Sequence, residues 1–295
     1  MEEQTNFGKF HDKNYKKLLL IPTILLIFAI GYMFYFYSST GDFIYKDISL
    51  TGGTTITLYD DINLNQLKLD LSGKLEDLNT RSIYDLITQE QKAIIVETKT
   101  DSEITRQVLE EYLGYELTSD NSSFEFTGST LSESFFKQLL VAILIAFIFM
   151  ALVVFLIFRT FVPSTAVIIS AFADIVMTLA LVNLIGMKMS SAGIVAFLML
   201  IGYSVDTDIL LTTRLLKRSE GSLNKRAFSA FKTGMTMTLT SLLAIIFAFF
   251  IAKSFSVVLT QIFSILIIGL GFDILNTWIT NVSILKWYLK NEINN

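Results

Sequence analysis

The sequence has no cysteine, one histidine and two prolines in 295 residues. Without cysteine there are no disulfides, no thiolate metal sites and no thiol chemistry. The single His11 stands in a polar N-terminal stretch, where a solvated side chain is the ordinary reading. No Walker loop, Rossmann turn or nucleophile elbow occurs. Lys and Arg are missing as well over six long, mostly apolar runs: Leu18–Tyr37, Leu139–Phe158, Val162–Ile185, Ala192–Leu211, Met235–Ile251 and Val257–Leu285. Each approaches or exceeds the roughly 20 residues that cross a hydrocarbon layer.

What is present fits those absences. Hydrophobic residues make up 52% of the chain and 25 residues are Phe, concentrated in the six runs rather than spread as in a soluble domain. The sequence therefore predicts a polytopic α-helical membrane protein. The first run is longer than a signal-peptide core, is rich in Phe and Tyr and lacks a clear A-x-A site, so it reads as a retained signal anchor. The expected layout is a tail at 1–17, a first transmembrane helix at 18–37, an external domain at 38–134, transmembrane helices 2–6 within 135–285, and a tail at 286–295.

Orientation follows from Lys and Arg in the short flanks. One side holds Lys9, Lys13, Lys16, Lys17, Arg159, Arg214, Lys217, Arg218, Lys225, Arg226, Lys232, Lys286 and Lys290; the other holds Lys188 and Lys253. Both tails are thus expected in the cytoplasm and the 38–134 segment outside the cell membrane.

That segment reads as β-α-β-β-α-β, the split pattern of ferredoxin-like α+β domains. Thr54–Tyr59 is β-rich, and Asn63 with Gln66 opens a helix through Leu67, Leu71, Leu75 and Leu78. Ser82–Thr88 and Ala93–Lys99 flank a turn at Gln89-Glu90-Gln91. Thr100 with Glu103 forms a second capping box, Gly114 suits a helix C-terminus, and Phe124–Thr127 closes the pattern. The segment carries 18 acidic against 7 basic residues. Solubility outside the cell accounts for that charge, and an acidic surface for a basic or unfolded client is the alternative.

The membrane helices carry polar stripes. The third has Ser170, Asp174 and Thr178; the fifth has Thr233, Thr236, Thr240 and Ser241; the sixth has Asp273, Asn276, Thr277, Thr280 and Asn281. The fourth places Asp206 and Asp208 within apolar sequence, where an ionised group costs about 2.5–3.5 kcal/mol on insertion scales. No Lys or Arg lies within the spans to neutralise Asp174, Asp206, Asp208 and Asp273; Arg214 and Lys232 are the nearest in sequence. The pattern predicts a shared polar seam in which these carboxylates are proton-relay candidates. Asp206 and Asp208 lie about 200° apart on a helix. One is expected to face a partner and the other Asp174 or Asp273, and the spacing leaves open which. Gly269-Leu270-Gly271-Phe272-Asp273 has the outline of an intramembrane aspartyl protease motif, but Phe272 separates the Gly from the Asp, and no enzyme is expected.

Gly202-Tyr203-Ser204-Val205-Asp206 in the fourth helix, with Leu50-Thr51-Gly52-Gly53-Thr54 after the first, resembles SecF. This is the smaller half of the SecD–SecF protein-export complex of the RND superfamily. The Asp273…Thr277-Trp278…Asn281 run is similar to the archaeal branch. Bacterial members read Asp-Phe where this chain has Ser49-Leu50, and they place the proton-linked Asp at the position of Thr207, which Asp206 and Asp208 flank here. Lys232-Thr233 stands where they have Arg-Thr. The resemblance implies half of an RND-type bundle, six helices with one external domain. It implies a SecD partner, a SecY-type Sec channel and exported unfolded polypeptides, in contact with membrane lipids and without nucleic acid, cofactor or metal. It further implies a gradient used through the intramembrane carboxylates, Asp206 first, then Asp208, Asp174 and Asp273, supported by Ser204, Arg214, Lys232, Thr233, Thr236, Thr240, Asn276 and Thr277. The alternatives are an RND-type exporter of small molecules or lipids, and a purely structural subunit.

Overall fold

The computed structural model describes residues 14–85, 87–88, 90–217 and 221–294. His11, Lys9, Lys13, Gln89 and Arg218 lie outside the described residues. Six helices are long and apolar enough to cross a membrane. The first, α1 (Leu20–Thr40), ends where Gly41 adopts φ 76° and returns its N–H to the Tyr37 carbonyl, a left-handed C-cap that costs glycine little. An extended stretch then leads to a single turn, α2 (Ile48–Thr51), capped by the Asp47 side chain.

The domain that follows is β1 (Gly53–Leu58), α3 (Leu64–Leu71), β2 (Asn79–Tyr84), β3 (Gln91–Thr98), α4 (Ser102–Leu113) and β4 (Ser122–Thr127). Its sheet runs β2-β3-β1-β4 with every neighbouring pair antiparallel, the ferredoxin-like order that the sequence predicts. Both helices cover one face. Ile56, Leu58, Ile94 and Val96 from the strands meet Leu67, Leu71 and Leu109 from the helices, all fully buried. Each such side chain contributes about 1.5–3 kcal/mol.

Three local expectations shift. The second helix is capped by Asp101 rather than Thr100, because the Thr100 hydroxyl accepts the Glu76 N–H (3.0 Å) and its carbonyl takes the Thr54 hydroxyl (2.8 Å). β2 starts earlier than Ser82 and stops at Tyr84, since the Asp85 carboxylate accepts the N–H groups of Ile87 and Thr88 and bends the chain out of the strand. The first helix stops at Leu71, and Leu75 reaches the core from the turn beyond it.

The remaining spans are α5 (Ser129–Phe158), α6 (Phe161–Leu184), α7 (Ser191–Leu216), α8 (Leu223–Ala252) and α9 (Val257–Leu275). The last span continues through a π-helical turn, Asn276–Asn281, into α10 (Val282–Asn294). α6 and α7 are the inner helices, whereas α5 and α8 present mostly exposed apolar faces.

The domain sits on one end of this bundle, against the α6–α7 and α8–α9 links. The Lys188 ammonium meets Asp77 at 2.6 Å, and the Tyr84 N–H donates to the Ser254 carbonyl (3.0 Å). Ile44 and Leu50 pack with Phe136, Val182, Met189 and Ile194 in one cluster that joins the domain's base to the helices. Gly52 and Gly53 stand where the chain enters the sheet, at φ 82° and 147°. A Cβ on Gly52 would lie 2.5 Å from the Ser129 backbone, and one on Gly53 would collide with the Thr98 carbonyl.

Gly53→Ala should therefore lower the thermal midpoint of the purified chain by several degrees, with the clash and the positive φ both opposing the methyl; an unchanged midpoint would contradict this account. Burial raises the proton affinity of Asp77, but the hydrogen bond and charge of Lys188, with help from Lys99, outweigh it and hold the carboxyl below its ordinary value. The docking contribution is thus present above the ordinary carboxylate range and disappears as pH falls below it. The difference in thermal midpoint between wild type and Lys188→Ala should be present at neutral pH and vanish at acid pH.

Candidate functional site

The inner helices each bring oxygen or amide groups to one level of the bundle. On α6, Ser170 and Asp174 are four residues apart and share a face. On α7, Ser204, Thr207, Asp208 and Leu211 form the buried face. The last span supplies Asp273 and then the π turn. A π turn is wider than an α turn and occurs often at functional sites. Here Asn276, Thr277 and Asn281, all fully buried, point at the other two helices.

The contacts are specific. Asp208 Oδ1 accepts from Thr277 Oγ1 (2.9 Å), Asn281 Nδ2 (2.7 Å) and Ser170 Oγ (3.3 Å). Asp174 accepts from Ser204 Oγ (2.6 Å) and Asn276 Nδ2 (2.7 Å). Asp273 accepts from Thr207 Oγ1 (3.0 Å) and Thr277 Oγ1 (3.1 Å). All three carboxylates are fully buried. Among the described residues none of them makes an ion pair.

Acceptors outnumber donors in this network. The one Thr277 hydroxyl proton faces both Asp208 and Asp273, and the one Thr207 proton faces Asp273 and the Ser204 carbonyl (2.9 Å). Asp208 Oδ2 and Asn281 Oδ1 are buried with no donor. Leaving a buried acceptor unmet costs about 1–3 kcal/mol. The cluster is thus built to take up positive charge, and hard oxygen ligands suit a proton or a small monovalent cation.

The structure separates the two neighbouring acids of the fourth span. Asp208 lies in the cluster, and Asp206 is exposed on the opposite face of α7 with Gly202, Tyr203, Val195 and Met199. Of the expected supporting residues, Ser204, Asn276 and Thr277 touch the carboxylates. Arg214 instead ties the far end of α7 to α8 through the Ser229 carbonyl (2.5 Å) and hydroxyl (2.7 Å). Lys232, Thr236 and Thr240 are exposed on α8, and Thr233 is half-buried. The three threonine hydroxyls donate to carbonyls of their own helix, so α8 contributes nothing to the cluster. Thr51, Gly52, Gly53 and Thr54 lie at the foot of the external domain, remote from the carboxylates in sequence and on a different element. Thr207 is the member that the sequence reading passed over. Its place three residues after Ser204, on the face that carries Asp208, is the signal for it. Asn281 and Ser170 belonged to the polar stripes but had no assigned contact.

The chain matches the family model described as "Protein export membrane protein SecD/SecF, C-terminal" over residues 108–291. It is 40% identical over 284 residues to the protein-export membrane protein SecF of Methanocaldococcus jannaschii, covering 94% of this chain and 96% of that one. It is 38% identical over 282 residues to the SecF of Methanothermobacter thermautotrophicus, covering 94% of each. Among solved structures it resembles the crystal structure of SecDF, a translocon-associated membrane protein from Thermus, with a TM-score of 0.75 and 21% identity. That match covers 98% of this chain and 39% of the longer SecDF chain, and it shows a shared fold.

Replacing the partnerless Asp208 oxygen by an amide adds a donor to a donor-poor network. Asp208→Asn should therefore raise the thermal midpoint in detergent, by the equivalent of about 1 kcal/mol; a marked drop would contradict the surplus of acceptors.

Proposed function

The chain belongs to the SecF family of protein-export membrane proteins, and we propose that it acts as the SecF-type accessory subunit of a Sec translocase, beside a SecD-type partner. As a multi-pass membrane protein it is oriented with both tails in the cytoplasm and the ferredoxin-like domain outside, a placement supported by thirteen Lys and Arg on one side against two on the other. The external domain meets the emerging polypeptide or the partner's own external domain.

One observation carries the coupling reading: three fully buried carboxylates hold more acceptors than the surrounding hydroxyls and amides can satisfy. Charge of one sign in an apolar bundle requires compensation. An ion drawn from a transmembrane gradient supplies it, and its arrival or departure changes how firmly α6, α7 and the π turn hold one another. Exported chains advance, in this reading, on the resulting movement. Asp208 stands at the centre of the cluster, flanked by Asp174 and Asp273. Asp206 has a different task. On the exposed face of α7 it would cost about 2.5–3.5 kcal/mol against lipid, so that face is where the second membrane half packs.

In vesicles containing this chain, its SecD-type partner and the channel, Asp208→Asn should leave the complex assembled and remove the stimulation of export by an imposed proton or sodium gradient. Stimulation that survives the substitution would rule out coupling through the cluster. Asp206→Leu should instead reduce the amount of partner retained through purification in gentle detergent.

A further inference from the structure

The outer end of α7 is held in an unusual way. Five backbone polar groups between Lys188 and Ser191 are bound by one of two neighbours. The Lys188 carbonyl accepts from Gln261 Nε2 (2.5 Å), and the Ser190 N–H donates to Gln261 Oε1 (3.1 Å), which also accepts from the Ser190 hydroxyl. The Met189 N–H donates to the Tyr45 carbonyl (2.6 Å), and the Met189 carbonyl accepts from the Asp47 N–H (2.9 Å). The Ser191 N–H donates to Ser49 Oγ (3.1 Å). Gln261 belongs to α9, the helix that carries Asp273. Tyr45, Asp47 and Ser49 belong to the stretch that runs through α2 and the two glycines into β1. The fit is close: a Cβ on Gly193 would lie 2.7 Å from both Gln261 Oε1 and Met189 Sδ. Ser190 Oγ in turn caps α7 through the Gly193 N–H.

A helix is stiff along its axis, so a shift at Ser191 is carried about 25 Å to Asp208 at roughly 1.5 Å per residue. We infer that Ser49 and Gln261 are positioning residues for the carboxylate cluster: they set the depth and rotation of α7, and through it they tie the geometry around Asp208 to the attitude of the external domain. The stretch 45–49 is the joint. It is two-sided, gripping α7 by three hydrogen bonds and entering the sheet within a few residues. Movement of the domain therefore moves α7, and rearrangement at the cluster moves the domain. This rests on the reading of the cluster as the coupling site, but its test reads geometry before export.

The measurement is the extent to which a hydrophobic carbodiimide labels Asp208, read by mass spectrometry on the full chain in its partner complex in membranes. Ser49→Ala removes the acceptor of the Ser191 N–H, and Gln261→Leu removes the clamp on Lys188 and Ser190. Each should change the labelling of Asp208 roughly threefold or more, the size expected for a residue on a coupling route. Ser49→Thr, which keeps a hydroxyl, should label like wild type. If Gln261→Leu does not fold, Ser49→Ala decides alone, since it lies outside the membrane helices. Labelling of Asp208 that is unchanged in Ser49→Ala overturns the inference, as does an equal change in Ser49→Thr. Gradient-stimulated export is then measured on the same membranes. A labelling shift with export intact keeps the joint and removes the coupling role of the cluster instead.

Discussion

Three carboxylates share one level of an apolar bundle, and the rest of the membrane part is arranged around the cost of that. An acid in hydrocarbon must be paired, hydrogen-bonded or compensated by an ion. Asp174, Asp208 and Asp273 are hydrogen-bonded by Ser170, Ser204, Thr207, Asn276, Thr277 and Asn281, yet Asp208 keeps an oxygen with no donor. Two of the helices that carry them, α6 and α7, are the most buried spans, and α5 and α8 pack against α7. The π turn belongs to the same requirement. It presents Asn276 to Asp174, and Thr277 and Asn281 to Asp208.

Much of the architecture is legible in the sequence. Run length gave the spans, and alternating patterns with capping signals gave the β-α-β-β-α-β order of the domain. What resisted reading was whatever depends on the third dimension. Thr100 looked like a cap but is engaged by Glu76 from another part of the domain, so Asp101 takes the role. Asp208 has the hydroxyl residues Ser204 and Thr212 at four-residue spacing and Asp206 has Gly202 and Leu210, but that difference alone does not say which face meets a neighbour; the packing against α6 and α9 turns Asp208 inward. The threonines of α8 form as regular a stripe as those of the last span. Regularity alone does not distinguish a hydroxyl that serves its own backbone from one that reaches a neighbour.

Membership of the SecF family and the shape of the bundle meet at the exposed face of α7. The longer SecDF chain holds more than twice the length matched here. The chain buries Asp208 against α6 and the last span while Asp206, Gly202 and Tyr203 stay exposed, the face to which the proposed function assigns the second membrane half. The two acids, two residues apart, thus face opposite sides of α7, Asp208 into the cluster and Asp206 away from it.

Gly53 and Thr127 are paired across the sheet, and Ser129 begins α5 directly against Gly52. The ferredoxin-like domain therefore leaves the bundle and returns to it at one point. A folded unit whose ends coincide in this way is geometrically an insertion between the first and second spans. A larger insert, or another fold with adjacent termini, would enter and leave by the same crossing. The close glycine crossing is the part that must stay the same, because it is the doorway through which any such insert has to pass.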